Sequence, residues 1–334
     1  MFKFNFHVEK DAASSSSDET DIEEEEVDLS IPCGMKSLAE LSDTVTSSRF
    51  MKISLDDTSF LKCVDSYKTD LNSDKELSEI NKTHDLVAGR YEGGLKIWEL
   101  SVDLARFLFN VHTLANDHAR SILSLLNASF LTNELRILEL GCGHALPSLS
   151  VLASLHARLN QLAVQDRKLK VVIYLQDFNK QIIETITSEN VREYLSDHES
   201  SFVNSNVSLE FKFVYGDWRR ILDADLLPAD YFNLILTSET IYNRANYHSL
   251  LKLFTRTMSK KSSMVLLAAK TYYFGCGGNS LEFVRLAQSK EYRFNCSPNL
   301  LDLSTTTTTT MGDDTTTIGK EIIKMERVIS EVYA

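Results

Sequence analysis

The sequence contains no apolar run long enough to cross a bilayer. Its opening residues, MFKFNFHVEKD, hold neither a continuous hydrophobic segment nor a small-residue cleavage site. The reading therefore excludes a membrane span and a secretory leader. It expects a cytoplasmic protein, with the nucleus or nucleolus as a second compartment. Paired cysteines are missing too. The five cysteines, Cys33, Cys63, Cys142, Cys276 and Cys296, are scattered without a C-x-x-C pair, which argues against a zinc site or disulfide framework and for reduced thiols. Cys142 has no activating base near it in the sequence and reads as a small buried thiol. Basic stripes are absent as well. With 35 Lys and Arg against 47 Asp and Glu, the formal net charge is −12, a balance that repels phosphate and disfavours direct nucleic-acid binding.

The acidity is concentrated at one end. Residues 1–30 hold ten acidic and two basic side chains, including Glu23 to Glu26 after a serine run. Such a stretch buries too little apolar surface to offset its ordering entropy. Residues 1–84 are therefore expected to be an acidic, largely disordered region, and 85–334 to be one folded domain. At 334 residues and 43% hydrophobic content, the chain has enough apolar material for a large core.

The segment Arg136 to Leu149, RILELGCGHALPSL, carries the most information. A short apolar run breaks into glycines and then into a helix start at Pro147. Gly141 and Gly143 let the backbone lie close against a ligand, and Pro147 suits a first helical turn, where no amide donor is needed. His144 and Ala145 stand where a dinucleotide-binding G-x-G-x-x-G turn would want another glycine, which disfavours a nicotinamide-dependent oxidoreductase and is expected to narrow the site.

Around this turn, strands and helices alternate. From Gly93, Ile97, Leu100, Leu104, Leu108 and Val111 recur at helical spacing. Strands are expected over Arg136–Leu140, Val171–Asp177, Leu209–Trp218, Tyr231–Glu239 and Ser263–Lys270, with a helix from Pro147 to about Val164. Near-continuous Val, Ile and Leu runs joined by helical crossovers imply a mostly parallel sheet covered on both faces. Its carboxyl ends would gather Gly141, Asp177 with Asn179, Asp217 with Trp218, and Ser238 with Glu239 at one crevice. Asp177, closing the second strand, suits ribose hydroxyls. The threonine-rich stretch 305–317 shows no alternating apolar face and reads as a loop insertion between the last two strands.

Taken together, GGLKIWEL, LELGCGHALPSL, LQDFN, GDW, ILTSETIYN and AAKTYYFGCGG resemble the S-adenosylmethionine-dependent protein-histidine methyltransferases that modify a histidine of a large-subunit ribosomal protein. The resemblance covers about Tyr91 to Gly278. It implies an α/β fold with a seven-strand Rossmann-like methyltransferase sheet, helices on both faces and an antiparallel C-terminal edge strand. It also implies S-adenosyl-L-methionine as cofactor and a basic large-subunit ribosomal protein as partner. By motif, the cofactor contacts become Ile97, Trp98, Glu99, Gly141, Gly143, Gln176, Asp177, Phe178, Asn179, Gly216, Asp217, Trp218 and Ser238. Glu239, Tyr242 and Asn243 are the candidates for holding the acceptor ring, with Tyr272, Tyr273 and Phe274 as an aromatic wall. No metal is expected. The alternatives are a methyltransferase of the same fold acting on protein lysine or a small molecule, and a non-catalytic ribosome-assembly module with a degenerate cofactor site.

Overall fold

The computed structural model describes residues 32–41, 50–66, 91–159, 168–204, 206–300, 307–311 and 314–328. The acidic residues 1–31 lie outside this set. The strands, in chain order, are β1 (Gly34–Ser37), β2 (Phe50–Ser54), β3 (Phe60–Val64), β4 (Glu134–Leu140), β5 (Leu169–Asp177), β6 (Val207–Tyr215), β7 (Leu234–Ser238), β8 (Met264–Lys270), β9 (Phe294–Leu300), β10 (Thr307–Met311), β11 (Asp314–Ile318) and β12 (Lys320–Arg327). The main helices are α1 (Glu99–Phe109), α2 (Asp117–Thr132), α3 (Leu146–Leu159), α4 (Ser188–Asn204), α5 (Trp218–Asp223), α6 (Tyr247–Thr257) and α7 (Ser280–Ala287).

Eight strands form one sheet in the order β1-β6-β5-β4-β7-β8-β12-β9. The pairs β6-β5, β5-β4, β4-β7 and β7-β8 are parallel, as the buried apolar runs require. β12 enters antiparallel between β8 and β9. This is the expected Rossmann-like methyltransferase sheet, with β9 at the C-terminal edge. One strand more is present than expected: β1 pairs antiparallel with β6 on the opposite edge.

Residues 1–84, expected to be largely disordered, contribute ordered strands within their described part. Within it, β1 extends the sheet, and β2 and β3 form an antiparallel pair whose Leu61 and Cys63 are buried in the core. A correction concerns the threonine-rich insertion. Its described residues form the antiparallel pair β10-β11 rather than a loop, although they do lie between the last two strands as expected.

Side-chain alternation along each strand sorts the core into two layers. Ile137, Leu234, Leu236, Leu266 and Ile322 face one side with α1, α2, α3 and α4 residues such as Leu104, Ile122, Leu149 and Val191. Leu138, Ile235, Val265, Leu267 and Ile323 face the other, against Leu250 and Phe254 of α6 and Phe283 of α7. A sheet buried on both faces leaves the strand ends as the place where backbone and polar side chains can meet a ligand. Among the described residues, no helix is long and apolar enough to cross a membrane.

Candidate active site

The chain leaves β4, winds toward β5 and β6, then returns to the other side of β4 as β7. Crossovers diverging to both sides open a crevice at the carboxyl ends, where α/β sheets bind ligands. A cleft of about 1190 Å³, open to solvent at its mouth, lies there, lined by Ile97, Trp98, Gly141, Gly143, Gln176, Asp177, Phe178, Asp217, Trp218, Ser238, Glu239, Tyr242 and Asn243.

Its floor is the glycine turn after β4. Gly141, Gly143 and also Ala145 adopt left-handed φ of 64°, 46° and 56°. Backbone groups in the turn are held by β5: Gly141 N–H donates to Gln176 Oε1 at 3.2 Å, and Gly143 N–H to Asp177 Oδ2 at 2.9 Å. Asp177 Oδ1 accepts the N–H of Asn179 at 3.1 Å. Burial pushes the Asp177 carboxyl up to about 6, against the opposing pull of the backbone N–H groups of Asn179, Gly143 and Phe178. Gln176 joins two walls, its Oε1 accepting from Trp218 Nε1 at 2.8 Å while its Nε2 donates to Gly216 O at 3.0 Å. Beside Trp218, Asp217 caps α5 by accepting Arg219 N–H at 2.7 Å and pairs with the Arg219 guanidinium at 2.9 Å.

The structure separates three expected cofactor residues from the cleft lining. The Glu99 carboxylate bonds Lys320 of β12 instead. Asn179 acts behind the wall, its Oδ1 accepting Glu92 N–H at 3.1 Å. Gly216 stands further out; a Cβ there would lie 2.9 Å from Cys33 beside β1.

At the mouth, the acceptor-side candidates divide. Glu239 takes a left-handed φ of 57°, a strained conformation for this residue type. Its buried carboxylate sits 3.3 Å from Lys270 Nζ, and burial raises its pKa while the ammonium opposes the rise. Asn243 accepts Ala245 N–H at 3.0 Å and so caps the short turn Arg244–Asn246. Tyr242 directs its hydroxyl to the carboxylate of Glu92. Of the aromatic wall, only Tyr273 lines the cleft; Tyr272 and Phe274 stand outside it, 43% and 38% exposed.

His144 borders the cleft, but its ring is bonded to the protein on both nitrogens. The imidazole is buried and turned into the protein, with Nε2 3.0 Å from Leu95 O and Nδ1 3.4 Å from Asn190 Nδ2. Since a carbonyl only accepts, Nε2 carries the proton, and burial pushes the ring's pKa down to about 4.

Residues that the sequence reading passed over support this floor. Gly94 presses its backbone on the turn: a Cβ on Gly94 would fall 2.9 Å from Ile182 and 3.2 Å from Asp177 Oδ1. Asn190 accepts Val64 N–H at 2.6 Å and donates to His144 O at 3.0 Å, so the end of β3 is tied to the glycine turn. Thr187, in the π-helical turn Ile183–Thr187, donates to Gly143 O at 2.6 Å. Such turns recur at functional sites. Gly94 lies within the quoted GGLKIWEL segment, but nothing in the sequence assigned it a contact.

A sequence model for the family described as lysine methyltransferase matches residues 88–275, more than half of the chain. The chain belongs to that methyltransferase family. Within it, the protein is similar to curated relatives named histidine protein methyltransferase 1 or its homologue. The Dictyostelium discoideum relative is 28% identical, over 64% of this chain and 54% of its own length. The Schizosaccharomyces pombe relative is 27% identical over 72% and 69%, and the Bos taurus relative 30% identical over 78% and 65%. The chain thus spans between about half and two thirds of the length of these relatives.

The cofactor of the family is S-adenosyl-L-methionine, and the residues present fit it. Asp177, buried at the cleft with two of its lone pairs taken by backbone N–H groups, has others that a ribose diol could fill. Trp218 and Phe178 line the cleft with flat apolar surface that a base could meet. The glycine turn passes without side chains along the floor.

Proposed function

We propose that the protein is an S-adenosylmethionine-dependent protein-histidine N-methyltransferase whose substrate is a basic large-subunit ribosomal protein met in the cytoplasm. The observation that supports the reading is that one cleft is lined both by Asp177, Phe178 and Trp218 and by Glu239, Tyr242 and Tyr273. The names of the relatives from three organisms support histidine as the acceptor.

When bound, the cofactor supplies an electrophilic sulfonium methyl. A neutral imidazole nitrogen already carries the lone pair that attacks it, so the chain's work is orientation and exclusion of water. Asp177 would hold the ribose hydroxyls, and Trp98, Phe178 and Trp218 would enclose the nucleoside. At the mouth, Tyr242 and Tyr273 face a flat ring, and Glu239 with Lys270 places a compensated ion pair behind it. The acceptor histidine must stay neutral, and the proton on its second nitrogen must leave after transfer.

Lysine is the second reading, favoured by the family's description. A lysine would have to lose its proton before attack rather than after. Incubation with labelled S-adenosylmethionine and a ribosomal-protein extract, followed by hydrolysis and mass spectrometry, separates the two. Methylhistidine on one protein, lost in Asp177→Ala, is expected; methyllysine alone overturns the histidine reading.

A further inference from the structure

No sequence motif gives Glu92 a role, yet it joins the floor of the cleft to the mouth. Its backbone N–H donates to Asn179 Oδ1 at 3.1 Å, and Asn179 N–H donates to Asp177 Oδ1 at 3.1 Å. Its side-chain carboxylate accepts the hydroxyl proton of Tyr242. Both side chains line the cleft. A continuous series of hydrogen bonds therefore runs from the nucleoside end to the acceptor end.

The far partner is held equally firmly. Tyr242 O accepts Gly278 N–H at 3.0 Å, and a Cβ on Gly278 would lie 2.1 Å from Ile241 O and 2.5 Å from Tyr242 O. Only a glycine permits that contact. Asn243 also bridges to Gly277, so the loop after β8 clamps the segment that presents Tyr242. Cys276 in that loop does not compete for protons: burial first, and the charge of Glu92 second, push its thiol up to about 11.

A tyrosine hydroxyl that donates to a carboxylate keeps its oxygen lone pairs for accepting. We propose that Glu92 and Tyr242 form a proton relay for the acceptor imidazole: Tyr242 is the catalytic contact, and Glu92 is the positioning residue and proton acceptor behind it. This rests on the histidine reading above. Tyr242 Oη accepts the N–H of one ring nitrogen, which fixes the tautomer and leaves the lone pair of the other nitrogen facing the methyl group. As that lone pair forms the new N–C bond, the C–S bond breaks and its electron pair stays on sulfur. As positive charge builds on the ring, its remaining N–H proton begins to pass to Tyr242 Oη and the tyrosine proton to the Glu92 carboxylate, a movement completed once the methyl has been transferred. Neutral methylhistidine and protonated Glu92 result, and Glu92 returns its proton to water.

The decisive variant is Glu92→Gln, which can still accept the tyrosine hydrogen bond but cannot take its proton. Initial rates are measured with labelled S-adenosylmethionine and ribosomal-protein extract by quantifying methylhistidine, in H₂O and in D₂O, across pH 6 to 9. The relay predicts that Glu92→Gln and Tyr242→Phe each slow transfer by about a hundredfold, the low end for a lost general base, and that the double variant is no slower than either. It also predicts that Glu92→Asp restores part of the rate and that the solvent isotope effect disappears in Glu92→Gln. Calorimetric S-adenosylmethionine affinity and melting temperature should remain those of the wild type in Glu92→Gln. A Glu92→Gln enzyme as fast as wild type, or one whose slower rate is matched by an equal loss of cofactor affinity, overturns the relay and leaves the histidine reading standing. If the wild type forms no methylhistidine from the extract, the histidine reading fails first, and the relay fails with it.

Discussion

Replacing Asp177 with asparagine separates the cost of burying a carboxylate from its value to the ligand. Asp177 is 4% exposed, and its pKa is raised from 3.8 to about 6. A shift of roughly two units costs about 3 kcal/mol once the group is ionised. The sign follows from proton counts. Between pH 3.8 and about 6 the folded chain binds more protons at this site than the unfolded chain does, so stability without ligand falls as pH rises through that window. In Asp177→Asn that loss disappears. The variant keeps one acceptor but turns an NH₂ toward a backbone donor, either Gly143 N–H or Asn179 N–H, at a cost of about 1–3 kcal/mol. Near pH 7.5 the two effects nearly cancel, and the ligand-free variant should melt close to wild type. Binding should respond differently. Losing charge-assisted bonds to the ribose diol removes about 3 kcal/mol, more than a hundredfold in affinity. Wild-type affinity for S-adenosylmethionine should also tighten as pH rises through about 6, because hydroxyls bond the ionised carboxylate better; the asparagine variant should show no such slope. Calorimetry at pH 5.5 and 7.5 reads both. A pH-independent wild-type affinity, or an asparagine variant that binds as tightly, would refute the assignment of Asp177.

Gly94→Ala should weaken S-adenosylmethionine binding at least about tenfold, since the new methyl meets Ile182 and Asp177 and must lift the loop off the turn; titration calorimetry checks it. His144 behaves in the opposite sense to Asp177. With its pKa lowered to about 4, the folded chain binds fewer protons than the unfolded chain between that value and 6.5, so His144 contributes about 3 kcal/mol of destabilisation as pH falls through the window. Denaturant melts of His144→Gln should show a correspondingly flatter acid limb. Burial holds the thiols of Cys63 and Cys296 up at about 12, and that of Cys142 well above its ordinary value; native protein at pH 8 should leave all three unalkylated by iodoacetamide until it unfolds. Tyr272→Ala with Phe274→Ala should change stability by under about 0.5 kcal/mol, both being exposed, yet raise the extract concentration needed for half-maximal methylation.

The parts of this molecule that were legible from sequence share a physical basis. Strands β4, β5, β7 and β8 carry consecutive buried apolar residues, such as Val171 to Ile173, Leu234 to Leu236 and Val265 to Leu267, and the observed bounds differ from the expected ones by only a few residues. The glycine turn declared itself because left-handed backbone selects residue type. β1 was hidden because four residues, GMKS, cannot display a period and owe their strand to the free edge of β6. The β2-β3 pair, FMKIS and FLKCV, sets apolar residues side by side without a clean alternation, so it carries no strand period to read. Site residues were found where the side chain itself meets the cleft, as with Asp177 and Trp218. Those acting through backbone, such as Gly94 and the N–H of Glu92, or from behind the wall, such as Asn190, leave little trace in a single sequence. Glu99 was misplaced because a helix-start acid looks the same whether it faces a ligand or, as here, Lys320.

The reversed direction of β12 has a geometric outcome. Because that strand runs against β8, it begins at Lys320, opposite Lys270, the same rim on which Glu239 and Tyr273 stand. Whatever chain precedes it must depart from that rim. The threonine hairpin β10-β11 reaches β12 at that rim, with one residue between Ile318 and Lys320.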